Sequence, residues 1–425
     1  MKAYTSIPRE DKEKILQFEK EKYEALKARN MKLDISRGKP SSKQLALSEE
    51  LLKIDISDYI EDGGIDIRNY GCLPGIPTAR ALFGELLGVP ASQVQIGGNS
   101  SITLMHDTIM RNFLFGALKD YSPWKDQKVK FLCPVPGYDR HFTICEAFGI
   151  EMINVDMLST GPDMDKVEEL VMDPAVKGIW CVPQYDNPGG VVYSDETVTR
   201  LAKMQTAAKD FRIFWDNAYC VHHFDVDDPM YVANIYELCK QAGNEDRVYM
   251  FTSTSKITFP NSGICCMAAS PANIAWQREK LNRQVISFDK VNQMRHICFL
   301  PNKSQVLEHM RRHAEIMKPK FDFVVDYLDK HLGGTDCAVW NRPRGGYFVS
   351  FFAYPGCAKR IVELCRQAGL VLTDAGATYP YHNDPDDSNI RIAPSIPTLE
   401  ELAQAMELFV TVVKLVTIEK LLDKE

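Results

Sequence analysis

The sequence predicts an α/β protein, with a mostly parallel seven-stranded sheet in a large domain and a smaller α+β domain beside it. Short apolar runs recur between residues 94 and 268, and each is typical of a buried strand. Helical patterns separate most of these runs, and this alternation indicates a parallel sheet that helices cover on both faces. After residue 303, a long amphipathic pattern is followed by shorter strands and helices, which predict the second domain.

The chain before the large sheet is predicted to be mostly helical. A short strand near Leu33 runs into a turn at Gly38-Lys39-Pro40, and a loop at 68–77 contains Tyr70. The helices predicted in this part, from apolar side chains at helical spacing, are 9–30, 44–54 and 78–87.

The large sheet is predicted from seven apolar runs and the helical patterns between them. The strands are 94–96, 129–133, 151–155, 178–182, 212–215, 248–251 and 264–268. The helices are 102–118, 139–148, 164–171, 195–209 and 231–242. No helical pattern separates the last two strands, so we expect these two to pair antiparallel.

The smaller domain is predicted to begin with a long helix at 304–332. Its strands are 337–340, 345–352, 370–372 and 390–392, and its other helices are 358–368 and one from Leu399 onward. We therefore assign residues 45–303 to the large domain, and residues 1–44 with 304–425 to the small one.

The composition excludes several classes of protein. The 425 residues carry a net charge of −7 without a basic cluster, so no nucleic-acid partner is expected. No apolar run approaches the ~18 residues that span a bilayer, and the first residues do not resemble a signal peptide. Twelve scattered cysteines without Cys-x-x-Cys indicate neither a zinc site nor a disulfide framework, and no metal ligands are predicted. Buried thiols in a reducing cytoplasm are the expectation.

The stretch from Ser253 to Gly263 is the strongest candidate for chemistry. Lys256 follows the apolar strand 248–251, and ligand sites of open α/β sheets lie at such strand ends. Burial there disfavours the ammonium form, so the amine could attack a carbonyl. An exposed loop lysine is the alternative interpretation.

Two further strand ends carry polar side chains that could serve the same pocket. Asp216 ends a strand and needs a cation or a donor if it is buried, and Tyr219 follows three residues later. Asn187 lies in a Pro/Gly turn after another strand and could donate to a bound oxygen, or simply belong to the turn. An aspartate, a tyrosine and a lysine together suit a heterocycle with one protonated atom and one covalent anchor.

A turn rich in small residues precedes the helix predicted from Ile102. Backbone N–H groups and hydroxyls of Gly98-Asn99-Ser100-Ser101 would converge there, and the helix dipole attracts anions. A simple N-cap cluster explains the same residues.

These motifs together resemble the class I aminotransferases, the pyridoxal-phosphate enzymes of fold type I. The resemblance covers residue 33 to the C-terminus and is nearest to a divergent bacterial aspartate aminotransferase subgroup. The motifs that carry it are Gly38, Tyr70, Gly98-Asn99-Ser100-Ser101, Pro136-Gly137-Tyr138, Asn187-Pro188-x-Gly190, Asp216-x-x-Tyr219, Ser253-x-Ser255-Lys256, Gly345-Gly346-x-Phe348 and Arg391.

The resemblance implies a role for each residue around the cofactor ring. Lys256 would hold pyridoxal 5′-phosphate as a Schiff base and then move a proton as acid and base. Asp216 would pair with the ring nitrogen, while Asn187 and Tyr219 would hydrogen-bond the ring's phenolate oxygen. Tyr138 would stack on the ring. His141 could contact Asp216 from behind, although simple packing is the more frequent role of such a histidine.

The resemblance also implies a phosphate site and a substrate site. The phosphate would be held by four residues of this chain, Asn99, Ser100, Ser101 and Ser253. Tyr70 would reach it from a neighbouring subunit, which implies a homodimer with active sites at the subunit interface. Gly38, Asn187 and Arg391 would bind the substrate carboxylate, since a guanidinium recognises a carboxylate with two hydrogen bonds.

One position departs from the family pattern. The family usually has an arginine eight residues after the lysine to neutralise the phosphate, and this chain has Ile264. A second cation would also be needed for a distal substrate carboxylate. The candidates are Arg37, Lys39, Lys290 and Arg295.

The expected function is transfer of an amino group from an L-amino acid, with L-aspartate as the best guess, to a 2-oxo acid such as 2-oxoglutarate. A β-lyase or decarboxylase with the same cofactor is the alternative. A transcriptional regulator on this fold is disfavoured, since no DNA-binding segment is evident before Gly38. A nicotinamide-dependent dehydrogenase is disfavoured because Gly-x-Gly-x-x-Gly is missing.

Overall fold

A mixed sheet of eight strands is the largest layer of the computed structural model, which describes residues 3–56, 60–61 and 64–424. The described strands are β1 (Leu33–Asp34), β2 (Ile60–Glu61), β3 (Ile65–Asp66), β4 (Val94–Ile96), β5 (Lys130–Val135), β6 (Glu151–Leu158), β7 (Gly161–Pro162), β8 (Val176–Cys181), β9 (Arg212–Asp216), β10 (Val248–Ser253), β11 (Cys265–Ala269), β12 (Ala338–Trp340), β13 (Val349–Ala353), β14 (Leu370–Val371) and β15 (Asn389–Ile392).

The described α-helices cover both faces of this sheet and build most of the remaining structure. They are α1 (Arg9–Lys27), α2 (Ser42–Ala46), α3 (Pro77–Leu87), α4 (Ser101–Phe115), α5 (Asp139–Ala147), α6 (Met164–Leu170), α7 (Asp195–Lys203), α8 (Ile235–Gln241), α9 (Pro271–Leu281), α10 (Lys290–Phe299), α11 (Lys303–Leu332), α12 (Ala358–Gln367) and α13 (Leu399–Leu422).

The order of the large sheet confirms the predicted α/β class. The strands lie in the order β4-β11-β10-β9-β8-β5-β6-β7, and the four pairings from β10 to β6 are parallel. Strand β11 is antiparallel to β10 and β4, as predicted for the two strands without an intervening helix. The eighth strand, β7, was not predicted. It is a two-residue strand that follows a tight turn from β6.

Side-chain alternation along the strands creates a hydrophobic core on each face of the sheet. In β9, Phe214 packs with Phe131 and Phe251 on one face, whereas Trp215 packs with Ile213 and Met250 on the other. The parallel strands end at one edge, so Asp216 at the end of β9 and Ser253 at the end of β10 are brought together.

A third core lies between the C-terminal elements and the N-terminal segment. It contains the antiparallel sheet β12-β13-β15, and β1 pairs in parallel with β14. Helices α1, α11 and α12 pack against α13 around it. The predicted assignment of 1–44 with 304–425 to one domain stays a prediction.

Several predicted boundaries were wrong for local reasons. The helix predicted at 195–209 ends at Lys203, because the next residues leave the helix and Ala207 N donates to Val171 O. The helix predicted at 231–242 begins only at Ile235, because the Asn234 side chain caps the N–H groups of the first turn. The helix predicted at 44–54 is a short α2 followed by a 3₁₀ turn at Glu49–Lys53.

The described residues contain no helix with the length and apolarity that a membrane crossing requires. All twelve cysteines are described and free, and ten of them are buried.

Candidate active site

Lys256 lines a cavity at the carboxyl edge of the large sheet, just after β10. Its Nζ donates to the hydroxyl of Tyr219 at 3.1 Å. Burial lowers the pKa of Lys256, and Arg391 acts in the same direction, while Tyr138 and Asp216 oppose it. The side chain is therefore not on an exposed loop, and its environment favours the neutral amine.

Asp216 faces the same cavity with one carboxylate oxygen occupied and one free. Its Oδ2 lies 3.0 Å from Nε2 of His141, whose ring stacks on Trp180 at 4.2 Å. Its Oδ1 is buried and has no hydrogen-bond partner among the described residues. His141 thus both packs and contacts Asp216, and the free oxygen needs a donor from outside the chain.

Tyr138 and Tyr219 are aromatic walls of this cavity. Burial is the main cause that raises the pKa of Tyr138 to about 12, and it also raises the pKa of Tyr219. Both hydroxyls therefore stay protonated at neutral pH and are available as donors.

Four serines also line this cavity. Ser100 and Ser101 lie at the N-terminus of α4, and Ser253 Oγ donates to Ser255 Oγ at 3.0 Å. Ser255 Oγ in turn donates to the backbone oxygen of Asn99 at 3.0 Å. Hydroxyls at a helix N-terminus form a site for an anion. Ser255 was not predicted to bind the phosphate, although it directly precedes Lys256 in the motif Ser253-x-Ser255-Lys256.

Two residues that were predicted to contact the phosphate, Asn99 and Tyr70, do not line the cavity of their own chain. The amide of Asn99 donates weakly to Pro260 O and Asn261 O, both at 3.4 Å. The side chain of Tyr70 is 82% exposed. Its loop is fixed by Lys290, whose Nζ donates to the carbonyls on either side of Tyr70.

Arg391 and Asn187, both predicted to bind the substrate, are in contact beside this cavity. Its Nη1 donates to Asn187 Oδ1 at 3.2 Å and to Asp139 Oδ1 at 2.9 Å, while its buried Nε has no partner among the described residues. Gly38 is close by, where a Cβ would meet the ring of Phe348 at 2.4 Å. A larger residue at position 38 would therefore displace the ring of Phe348.

Comparison with known proteins identifies the family. The chain matches the family model of aspartate amino-transferases over residues 9–425. The chain belongs to the aspartate aminotransferase family.

Aminotransferases from bacteria are similar along nearly the whole chain. An aspartate aminotransferase from Corynebacterium glutamicum is 45% identical over 402 residues, which are 94% of this chain and 93% of that protein. The crystal structure of an aspartate transaminase from the same organism superimposes with a TM-score of 0.96 at 43% identity, covering 99% of both chains. LysN from Thermus thermophilus, an α-aminoadipate aminotransferase, shares the fold at 19% identity, with a TM-score of 0.73 and 92% of this chain covered.

Members of this aminotransferase family use pyridoxal phosphate, and the residues of the cavity fit that group. The free oxygen of Asp216 suits a protonated ring nitrogen, and the amine of Lys256 suits an aldehyde. The serine end suits a phosphate, although Ile264 is buried and supplies no charge there. Lys256 is the one cation among the residues that line this cavity. Because Lys256 would be bonded to the aldehyde, the phosphate would meet only neutral donors from these lining residues.

A second, larger cavity adjoins the first at Tyr138, Asn187 and Lys256, and Arg391 lines this second cavity. Of the four cations predicted for a distal carboxylate, only Arg37 lines it. Arg140 and Arg366 line it as well and were not predicted, although Arg140 lies only two residues after Tyr138. Arg366 is paired with Asp374, whereas the described residues contain no ion pair for Arg37 or Arg140.

Buried histidines hold the backbone that follows Lys256. His309 Nε2 lies 2.9 Å from the carbonyl oxygen of Ile257, and His296 Nε2 lies 2.9 Å from Thr258 Oγ1. His313 contacts His309 through their Nε2 atoms at 3.2 Å. These contacts tie the lysine segment to α10 and α11. No sequence signal connects residues so far apart, and sequence reasoning missed them.

Proposed function

We propose that this aminotransferase uses pyridoxal 5′-phosphate, held covalently by Lys256, to move the amino group of L-aspartate to a 2-oxo acid, with 2-oxoglutarate as the acceptor. The observation that carries the proposal is the joint placement of Lys256 and the unpartnered oxygen of Asp216 in one cavity. The similar aspartate aminotransferase from Corynebacterium glutamicum supports the choice of aspartate.

The ring end of the cavity is suited to hold the cofactor in one orientation. When bound, pyridoxal phosphate supplies an aldehyde that condenses with amines and a pyridine ring that accepts electrons from the substrate α-carbon. Asp216 would keep the ring nitrogen protonated, and His141 keeps the carboxylate in position. Asn187 accepts from Arg391 through Oδ1, which leaves its NH₂ group to donate to the ring oxygen together with Tyr219. Tyr138 would cover the ring face.

Lys256 would be suited to proton transfer in the state in which its amine is free. Burial favours its neutral form, so Nζ can take the proton from the substrate α-carbon. The hydroxyl of Tyr219, 3.1 Å away, orients this amine. Ser100, Ser101, Ser253 and Ser255 would anchor the phosphate, joined by the predicted Asn99 and by Tyr70 of a second subunit.

The substrate end has one cation for each carboxylate of a dicarboxylic amino acid. Arg391 would bind the α-carboxylate, since its Nε has no partner among the described residues, and Gly38 lines the same cavity. The distal carboxylate would be bound by Arg37 or Arg140, which face the adjoining cavity without a carboxylate partner among the described residues. Two separated cations favour aspartate and glutamate over apolar amino acids.

The proposal also covers the cellular location, the assembly and the domain organisation of the enzyme. We propose a cytoplasmic homodimer with active sites at the subunit interface. We also propose a large domain at 45–303 and a small domain formed by 1–44 with 304–425. The exposed Tyr70, on a loop fixed by Lys290, supports the shared site, since it reaches no group in its own cavity.

Product analysis tests the function. Purified holoenzyme is incubated with L-aspartate and 2-oxoglutarate, and the expected products are oxaloacetate and glutamate in equal amounts. Alanine with carbon dioxide would indicate a decarboxylase, and pyruvate with ammonia from a β-substituted amino acid would indicate a β-lyase. Either result without glutamate formation contradicts the proposal.

A further inference from the structure

A third cavity lies on the face of the large sheet opposite to the candidate active site. Side chains alternate at the end of β9, so Asp216 faces the active site while Trp215 and Asn217 face this third cavity. Helices α3, α8 and α11 close it from the outside. Its apolar walls are Leu86, Leu87, Trp215, Val221, Val232, Ile235, Met250 and Leu307.

Asn217 brings an unsatisfied acceptor into this cavity. Its backbone is fixed, because its N–H donates to Phe251 O at 2.8 Å and its carbonyl accepts from Thr252 Oγ1 at 3.0 Å. The side chain is 6% exposed, and Oδ1 has no partner among the described residues. A buried acceptor of this kind is costly unless a donor meets it.

Lys303 brings a positive charge to the same cavity. It is half-buried at the first position of α11, and no carboxylate lies within ion-pair distance of its ammonium group among the described residues. Burial raises the pKa of Cys220, which also lines this cavity, and the ammonium of Lys303 acts against that rise. Glu85 lies exposed at the rim, where its Oε2 accepts from the backbone N–H of Lys303 at 3.0 Å.

We propose that this cavity is a second small-molecule site, which binds a free α-amino acid with an apolar side chain. The carboxylate of the ligand pairs with Lys303. Its ammonium group donates to Asn217 Oδ1 and faces the carboxylate of Glu85. The apolar side chain packs against the walls formed by Leu87, Ile235 and their neighbours.

Simpler ligands fit these groups less well. An inorganic anion would leave the acceptor of Asn217 unpaired and the apolar walls wet, and a hydrocarbon would leave Lys303 and Asn217 without partners. A free amino acid with an apolar side chain satisfies all three features at once. The site is separate from the one proposed for the reaction, since Asn217 and Asp216 point to opposite faces.

Calorimetric titration of the borohydride-treated holoenzyme with L-leucine tests the proposal, since reduction prevents the active site from reacting with the amino acid. Wild-type protein is compared with Lys303→Met and with Lys209→Met, a control on an exposed surface lysine. L-Leucinamide, which lacks the carboxylate, and 4-methylpentanoate, which lacks the amine, are titrated in parallel. Ala233→Trp, which fills the cavity mouth, provides a second variant.

We expect saturable binding of one leucine per chain, unchanged in Lys209→Met, at least tenfold weaker in Lys303→Met and lost in Ala233→Trp. Each incomplete ligand should bind at least tenfold more weakly than leucine. The proposal is overturned if leucine does not bind, or if it binds Lys303→Met and Ala233→Trp as tightly as wild type, because such binding would belong to another site.

Discussion

Arg391 and Asp139 form an ion pair, with 2.9 Å between Nη1 and Oδ1, on the wall of the cavity that adjoins Lys256. The arginine proposed to bind the substrate carboxylate therefore already has a carboxylate partner. Asp139 positions the guanidinium, but its charge also competes with that of the substrate.

Replacement of Asp139 by Asn should tighten substrate binding. The amide keeps an oxygen for Arg391 and removes the competing charge, so we expect KM for the amino acid to fall about fivefold, which corresponds to roughly 1 kcal/mol. The value of kcat should change less than twofold. Steady-state kinetics measure both, with the exposed Asp126→Asn as control. An unchanged or higher KM would mean that Asp139 acts mainly by holding Arg391 in place.

Replacement of Asp216 by Asn should reduce turnover while the cofactor remains bound. An amide cannot stabilise a protonated ring nitrogen as a carboxylate does, so we expect kcat to fall roughly 100-fold or more. Stopped-flow kinetics give the rate, and the visible absorbance of the bound cofactor shows that the site is still loaded. Turnover within tenfold of wild type would contradict the assigned role of Asp216.

Tyr70 allows a test of the shared active site. Tyr70→Ala and Lys256→Ala subunits should each form poorly active homodimers, but a mixed dimer has one site with both native residues. We therefore expect mixing under subunit exchange to raise activity well above that of either parent, up to about a quarter of wild type for random pairing. Activity that stays at the average of the two parents would argue against a contribution of Tyr70 across the interface.

His313 should make the stability of the protein depend on pH. Burial lowers its pKa to about 3, with His309 acting in the same direction, whereas the unfolded chain binds this proton below about 6.5. The contribution of His313 to the free energy of unfolding is therefore complete above pH 6.5 and decreases as the pH falls toward 3.

A matched variant isolates this effect from the other buried groups. Asp186 has the opposite dependence, since burial raises its pKa to about 7, but this contribution is common to both proteins. Between pH 6.5 and 5, urea unfolding should show a steeper loss of stability in wild type than in His313→Gln. Equal slopes would show that His313 is already protonated in the folded protein.

The sequence predicted the fold best where a short apolar run of strand length ends in polar residues. The strands that end at Asp216 and Ser253, and the antiparallel pairing of β11, follow from apolar runs and the missing helix between two of them. Helices α9 and α10 were not predicted. Their polar and apolar residues are poorly segregated, so that tertiary packing, rather than a clear period, fixes these helices.

The partners of the candidate site residues could not be predicted in the same way. Asp139 and Arg391 are 252 positions apart in the sequence, and His309 contacts the backbone of Ile257 from a different helix. Each of these contacts forms only when the folded chain brings the two elements together, so no local sequence pattern predicts it. The roles assigned to the individual residues of the site remain predictions.

Borohydride reduction of the purified holoenzyme, followed by digestion and mass spectrometry, tests the central role of Lys256 most directly. Reduction fixes the cofactor on the amine that holds it, and we expect a phosphopyridoxyl group on Lys256 alone. An unlabelled Lys256, or a label on another lysine such as Lys290, would contradict the account.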